Sequence, residues 1–231
     1  MKFIFDVDGT LTPSRGVIDP LFKAYLLEFI CDNEVYLATG SDYPKTLEQL
    51  GKVVCESVAA CFNCSGNSTW VKGKEIYKLD WTIDNIHRSF LEMKLEESKF
   101  KPKTGNHIEE RTGMVNFSIV GRNATLEDRF LYKQWDEHKN ERVNIAEEFR
   151  QIFGDGVSIQ VAGDTGLDIF PKDHDKSQIA HRVQGPVVFF GDKMMPGGND
   201  FPLAEQIIKR VGGRAIQVKD WKDTWERMKK I

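Results

Sequence analysis

The stretch FIFDVDGT carries two carboxylates, Asp6 and Asp8, two residues apart at the end of a short apolar run. A second run, EVYLATGS, ends in Thr39, Gly40 and Ser41, and a third, VVFFGD, ends in Asp192, with Asp200 further along in GDKMMPGGND. Lys176, in HDKSQIA, stands at the start of a helical pattern. Carboxylates crowded at one place repel unless a cation neutralises them, and hard oxygen ligands suit Mg²⁺. Asp6, Asp8, Asp192 and Asp200 are therefore candidate metal ligands. A carboxylate held against Mg²⁺ can attack phosphorus, because the ion screens the repulsion between the two anions. That makes Asp6 the candidate nucleophile. Asp8 is placed to protonate the leaving oxygen and then deprotonate the incoming one. Hydroxyls and amides of Thr39, Gly40 and Ser41, with the Lys176 ammonium, can hold the transferring phosphoryl group. Taken singly, each feature has a plain explanation: D-x-D-G and T-G-S are good turn sequences, and a lysine at a helix start is usually solvated. Their occurrence in this order, with acids or hydroxyls at the ends of three strands, favours chemistry.

The elements that must position them follow from hydrophobic patterning. KFIFDVDG reads as a buried strand, and DPLFKAYLLEFICDN as a helix with Asp19 as cap, Pro20 at its first position and a broad apolar face from Leu21 to Ile30. EVYLATGSD is a second strand and PKTLEQLGKVV a second helix. Strand, helix, strand, helix is the rhythm of an open parallel sheet with helices on its faces, and ligands of such sheets lie beyond the carboxyl ends of the strands.

From about Trp70 the pattern changes. STWVKGKEIYKL reads as a hairpin, and WTIDNIHRSFLEMKLEES as a helix with Ile83, Ile86, Phe90 and Met93 on one face and Leu91 and Leu95 beside it. RTGMVNFSIVG, VSIQVAG and LDIFP read as strands around a helical segment broken near Asn140. After Pro171 the first style returns, with helix, strand, helix and a last strand, RAIQV. The expected fold class is α/β, a Rossmann-like parallel-sheet core, residues 1–69 and 173–231, with an inserted α+β domain containing an antiparallel sheet at 70–172.

Composition excludes several classes. With 231 residues, 40% hydrophobic and 29% charged, and a formal net charge of −3, the chain has the balance of a soluble protein and no overall footprint for nucleic acid. No apolar run approaches the about 20 residues that cross a bilayer, and Asp6 and Asp8 interrupt the only leader-like opening. Neither a membrane nor a nucleic-acid partner is expected, and a cytoplasmic location follows. Cys61 and Cys64 form a Cys-x-x-Cys, but no second pair completes a zinc site, so Cys31, Cys55, Cys61 and Cys64 are expected to be reduced thiols.

FDVDGTLT, the strand-end TGS, Lys176 and GDKMMPGGND resemble the four motifs of the haloacid dehalogenase superfamily of phosphoryl-transfer enzymes. DVDGTLTPSR, GSDYPKTLEQLG, RTGMVNFSIVGR, LDIFPKDHDK and FFGDKMMPGGND resemble, more closely, the eukaryotic-type phosphomannomutases, over nearly the whole chain. The resemblance implies interconversion of mannose 6-phosphate and mannose 1-phosphate through an aspartyl-phosphate on Asp6. It further implies a hexose phosphate substrate, hexose 1,6-bisphosphate as activator, Mg²⁺ on Asp6, the Asp8 backbone and Asp192, and a homodimer formed through the inserted cap. Substrate contacts would fall on Arg15 in the core and on Arg111, Arg122, Arg129 and Asp168 in the cap. Where the family has a substrate-binding serine this chain has Gly166, which offers only backbone, and after GGND it reads FPLAEQ, without the family's acid for a second cation. The cap arginines make sense on their own terms, since a sugar with two phosphate positions needs a basic receptor for the distant one. Each could equally form surface ion pairs with Glu109, Glu110, Glu127 or Asp128. A sugar-phosphate phosphatase of the same superfamily, in which water attacks the phosphorylated aspartate, remains the alternative, and a non-catalytic sugar-phosphate binding module a further one.

Overall fold

The computed structural model describes residues 1–154 and 156–231. The chain divides into two compact units, Met1–Leu79 with His174–Ile231, and Asp80–Asp173.

The first unit begins with β1 (Lys2–Phe5), α1 (Pro20–Asp32), β2 (Glu34–Ala38), α2 (Tyr43–Leu50), α3 (Lys52–Ser57), β3 (Ala60–Asn63), β4 (Ser68–Val71) and β5 (Lys74–Lys78). In the second unit, α4 (Asn85–Glu97), β6 (Ile108–Arg111), β7 (Met114–Phe117), α5 (Leu126–Lys139), α6 (Glu141–Phe153), β8 (Val157–Ala162) and β9 (Gly166–Pro171) follow. Finally α7 (Gln178–Arg182), β10 (Val187–Gly191), α8 (Phe201–Ile208), β11 (Arg214–Gln217) and α9 (Trp221–Met228) complete the first unit.

Its seven-stranded sheet has the order β11-β10-β1-β2-β3-β4-β5, parallel from β11 to β3 and antiparallel beyond. Both faces are covered. Phe3, Phe5, Leu37 and Phe190 pack with α1, α2, α3 and α9, while Ile4, Ala38, Phe62 and Phe189 pack with α7 and α8. Successive side chains of a strand point to opposite faces, so a strand buried on both must be apolar throughout, as KFIF and VVFFG nearly are. Phe5 pairs in register with Phe190 on one side and Leu37 on the other, so the residues after β1, β2 and β10 emerge side by side.

Three sequence expectations need correction. The hairpin at 68–78 was expected in the inserted domain, but β4 pairs with β3, and Trp70 stacks on Tyr43 of α2 with ring centroids 4.1 Å apart. The helix expected over PKTLEQLGKVV is two, because Gly51 at φ +82° ends α2, and a Cβ there would meet the Lys23 ammonium at 2.5 Å. On α4 the buried residues are His87, Phe90 and Leu91, with His87 stacked on Phe149, whereas Ile86 and Met93 face outward.

In the second unit the antiparallel sheet has the order β6-β7-β9-β8. Val115, Phe117, Ile159, Leu167 and Ile169 pack with Phe90, Tyr132, Ile145 and Phe149 of α4, α5 and α6. Alternate residues therefore belong to the other face of the sheet. There the register aligns Glu109, Asn116, Asp168 and Gln160 in one polar row across all four strands. Asn140, left-handed at φ 52°, separates α5 from α6 at the expected break. No helix among the described residues is long and apolar enough to cross a membrane.

Candidate active site

Beyond β1 the chain winds tightly: the amides of Thr10, Leu11 and Thr12 all donate to the Val7 carbonyl. Asp6 precedes this turn and Asp8 lies within it, so the two carboxylates have different surroundings. Asp6, 3% exposed, accepts a hydrogen bond from Lys176 Nζ at 2.6 Å. The same ammonium, 2% exposed, donates at 2.5 Å to Asp200, whose other oxygen accepts from the Lys193 amide at 3.1 Å. Oxygens of Asp6, Asp192 and Asp200 all lie within 4.8 Å of one another.

Three carboxylates against one ammonium leave excess negative charge in a water-poor site. Burial and then Asp200 push the Asp6 carboxyl well above its ordinary range despite Lys176, and the same two causes push Asp192 up to about 6. Burial alone would lower the Lys176 ammonium, but Asp200 and Asp6 outweigh it and the net shift is upward. The group fits a hard divalent cation, which would supply the missing positive charge through oxygen ligands alone. Gly9 keeps the space beside it open, since at φ +83° a Cβ would stand 2.5 Å from Asp192 Oδ2.

A measurable consequence concerns pH. A carboxyl whose folded-state value lies above its unfolded value keeps its proton longer in the folded chain. The stability from Asp192 is thus fully present below about 3.8 and lost as pH rises through about 6. Mg²⁺ should therefore raise the melting temperature more at about pH 7.5 than at about pH 5, as a ligand that binds the folded state alone. Thermal unfolding with Mg²⁺ or EDTA checks this, and an equal response at both pH values would remove the cation from the carboxylate cluster.

Asp8 was expected among the metal ligands, but its side chain stands outside the carboxylate cluster. Its Oδ1 accepts from the Arg15 amide at 2.5 Å and from Gln49 Nε2 at 2.9 Å, and its Oδ2 from Ser41 Oγ at 3.3 Å. The tight turn after β1 aims it towards α2, so only its backbone remains for a metal. Thr39 Oγ1 accepts from the Ser41 amide, and Asn63 Nδ2 donates to the Ser41 carbonyl and to Thr46 Oγ1. Neither Gln49 nor Asn63 was singled out from sequence. Their signal was a polar residue on a buried stripe: Gln49 shares the inner side of α2 with Thr46 and Leu50.

The second unit holds its own polar cluster. Glu109 Oε2 receives Arg111 Nε at 2.7 Å and pairs with Arg122 Nε at 3.1 Å. Burial alone would raise the Glu109 carboxyl, but Arg111 and Arg122 outweigh it and hold it below its ordinary range. Arg129 lies in the first turn of α5, whose N-terminus is closed by a reciprocal Thr125–Asp128 capping box. Asp168, 6% exposed, accepts from Asn116 Nδ2 at 2.6 Å. The Gly166 carbonyl accepts from Arg142 Nη1 at 3.3 Å, so its backbone is engaged within the fold.

A parallel sheet that gathers carboxylates and a lysine beyond its strand ends has the arrangement expected of a haloacid dehalogenase-type site. The fold is similar to that of a haloacid dehalogenase-like hydrolase from Bacteroides thetaiotaomicron, with a TM-score of 0.63 at 11% identity over 99% of this chain and 98% of that one. Residues 23–231 match the eukaryotic phosphomannomutase family. The chain is 31% identical over 228 residues to the phosphomannomutase of Saccharomyces cerevisiae, covering 94% of this chain and 89% of that protein. It is 33% identical over 215 residues to Homo sapiens phosphomannomutase 1, covering 87% and 81%. The chain belongs to the eukaryotic phosphomannomutase family.

Proposed function

We propose that this enzyme interconverts mannose 6-phosphate and mannose 1-phosphate by phosphoryl transfer through Asp6, with hexose 1,6-bisphosphate as intermediate and activator. The observation that carries the reading is the separation of environments two residues apart: Asp6 sits in the carboxylate–lysine cluster, and Asp8 in a net of donors. Asp6 is the nucleophile. Lys176 orients it and faces the transferring oxygens, and Thr39 and Ser41 line the same strand edge. Asp8 gives a proton to the departing sugar oxygen and takes one from the oxygen that attacks in return. Asp6, Asp192 and the Asp8 backbone would hold Mg²⁺, with Asp200 the third carboxylate of the cluster, and the ion when bound would screen the charge between the carboxylate and the phosphoryl oxygens. Recognition of the non-reacting phosphate falls to Arg111, Arg122 and Arg129, with Asp168 taking sugar hydroxyls; Arg15 is proposed as a further substrate contact. Glu109 supports this division by holding Arg111 and Arg122 beside each other.

The decisive experiment supplies mannose 1-phosphate, Mg²⁺ and a trace of hexose 1,6-bisphosphate and follows products by phosphorus NMR. Mannose 6-phosphate should accumulate, and inorganic phosphate as the sole product would overturn the mutase reading. Arg122→Ala should raise KM for the sugar phosphate roughly 10- to 100-fold, the scale of a charged hydrogen bond of about 1.5–3 kcal/mol, and leave an aryl phosphate nearly untouched. Equal effects on both substrates would remove Arg122 from distal-phosphate recognition. The reading includes a homodimer formed through the second unit, supported by the exposed Ile86 and Met93 on α4; a monomer by sedimentation at working concentrations would exclude it.

A further inference from the structure

Gln49 is fully buried, yet its side chain makes hydrogen bonds through Nε2 alone, to Asp8 Oδ1 at 2.9 Å and to Thr12 Oγ1 at 3.2 Å. Among the described residues its Oε1 is buried without a hydrogen-bond partner. An apolar side chain of the same length would avoid that cost, so the amide earns its place by its donors. Its orientation is set from behind. Thr12 Oγ1 donates to the Val7 carbonyl at 3.2 Å, so its remaining capacity is to accept, and it must face Nε2 and not Oε1. Turning the amide over would also set Oε1 against an Asp8 oxygen, two acceptors facing each other.

The two oxygens of Asp8 are thereby made unequal. Oδ1 receives the Gln49 amide and the Arg15 backbone N–H, and both groups can only donate. Oδ2 faces Ser41 Oγ at 3.3 Å, a hydroxyl that donates to a carboxylate and accepts from a carboxylic acid. We infer that Gln49 is a positioning residue for phosphoryl transfer: with the Arg15 amide it confines the exchangeable proton of Asp8 to Oδ2 and aims that oxygen at the reacting sugar oxygen.

The inference rests on the acid–base reading of Asp8 proposed above. As an Asp6 oxygen bonds to phosphorus and the phosphorus–oxygen bond to the sugar breaks, the proton on Asp8 Oδ2 passes to the departing sugar oxygen and Asp8 is left ionised. In the return step Oδ2 takes the proton from the attacking sugar hydroxyl as the Asp6–phosphorus bond breaks. Without Gln49 the carboxyl can rotate, and the proton can sit on an oxygen that points away.

First-turnover rates of leaving-group release separate positioning from structure, because an activated aryl oxide departs without a proton and a sugar oxide does not. With Mg²⁺ present, Gln49→Met should slow release from a hexose 1,6-bisphosphate by up to about 10²-fold, the scale of a misplaced catalytic group, and release from p-nitrophenyl phosphate far less. Thr12→Val, which frees the amide to turn, should show the same selectivity at smaller amplitude and serves if Gln49→Met does not fold. Equal slowing on both donors, or none, overturns the inference. Asp8→Asn tells the two failures apart. If it slows both donors equally, the acid–base reading of Asp8 falls and the inference with it; if it is selective while the Gln49 and Thr12 variants are not, only the inference falls.

Discussion

Asp6→Asn should abolish phosphoryl transfer, lowering kcat roughly 10⁴-fold or more, the scale seen when a catalytic nucleophile is removed, while leaving the fold intact. The amide is isosteric with the carboxylate, and its oxygen can still accept from Lys176 in place of Asp6 Oδ1. An unusual second outcome follows from the charge balance. Asp6 is held well above its ordinary range by burial and by Asp200, so its ionised form strains the cluster when no cation is bound. Replacing it with a neutral group leaves Lys176 against two carboxylates in place of three. The melting temperature in EDTA at neutral pH should therefore be unchanged or higher than that of the wild type, and the rise on adding Mg²⁺ should be smaller. Loss of activity with loss of folded protein would mean that Asp6 is primarily structural. Retained turnover would remove it as nucleophile.

How much of this was legible in the sequence depends on the range over which the relevant physics acts. That Asp6 and Asp192 meet could be read because β1 and β10 are continuous apolar runs, and parallel pairing brings their ends together whatever lies between them. Lys176 was legible only as a residue type at the right place in the order of motifs; its double engagement with Asp6 and Asp200 is a tertiary fact. The hairpin at 68–78 misled because a change from helix-rich to hairpin patterning looks like a domain boundary. Stacking of Trp70 on Tyr43, more than 20 residues earlier, ties it to the first unit. On α4, hydrophobicity alone points Ile86 and Met93 inward, but packing admits His87, whose ring stacks on Phe149. Gln49 escaped for a related reason. A glutamine in an amphipathic helix is ordinarily solvated, and only the half-buried Asp8 carboxylate opposite makes it worth noticing.

Lys176→Met should be the most destabilising single change in the site. The ammonium is the shared partner of Asp6 and Asp200, all three side chains being almost wholly enclosed. Removing one member of such a network leaves its partners desolvated and unpaired, at about 3–5 kcal/mol. Part of that loss is avoidable, because Asp6, already held well above its ordinary range, can take up a proton. The deficit should be largest at neutral pH in EDTA and should shrink on acidification or on addition of Mg²⁺, each of which lowers the uncompensated negative charge. The pair can be tested as a cycle. If the cost of Lys176→Met is electrostatic, it should fall sharply in an Asp6→Asn background, where one of the orphaned charges is already absent. If it is lost packing of a long aliphatic stem, the methionine should largely replace that stem and the cost should be small in both backgrounds. Chemical denaturation of the four proteins, with and without Mg²⁺, gives the coupling directly. A coupling near zero would mean that Lys176 and Asp6 are neighbours without being partners, and Lys176 would then have to act on the phosphoryl oxygens alone.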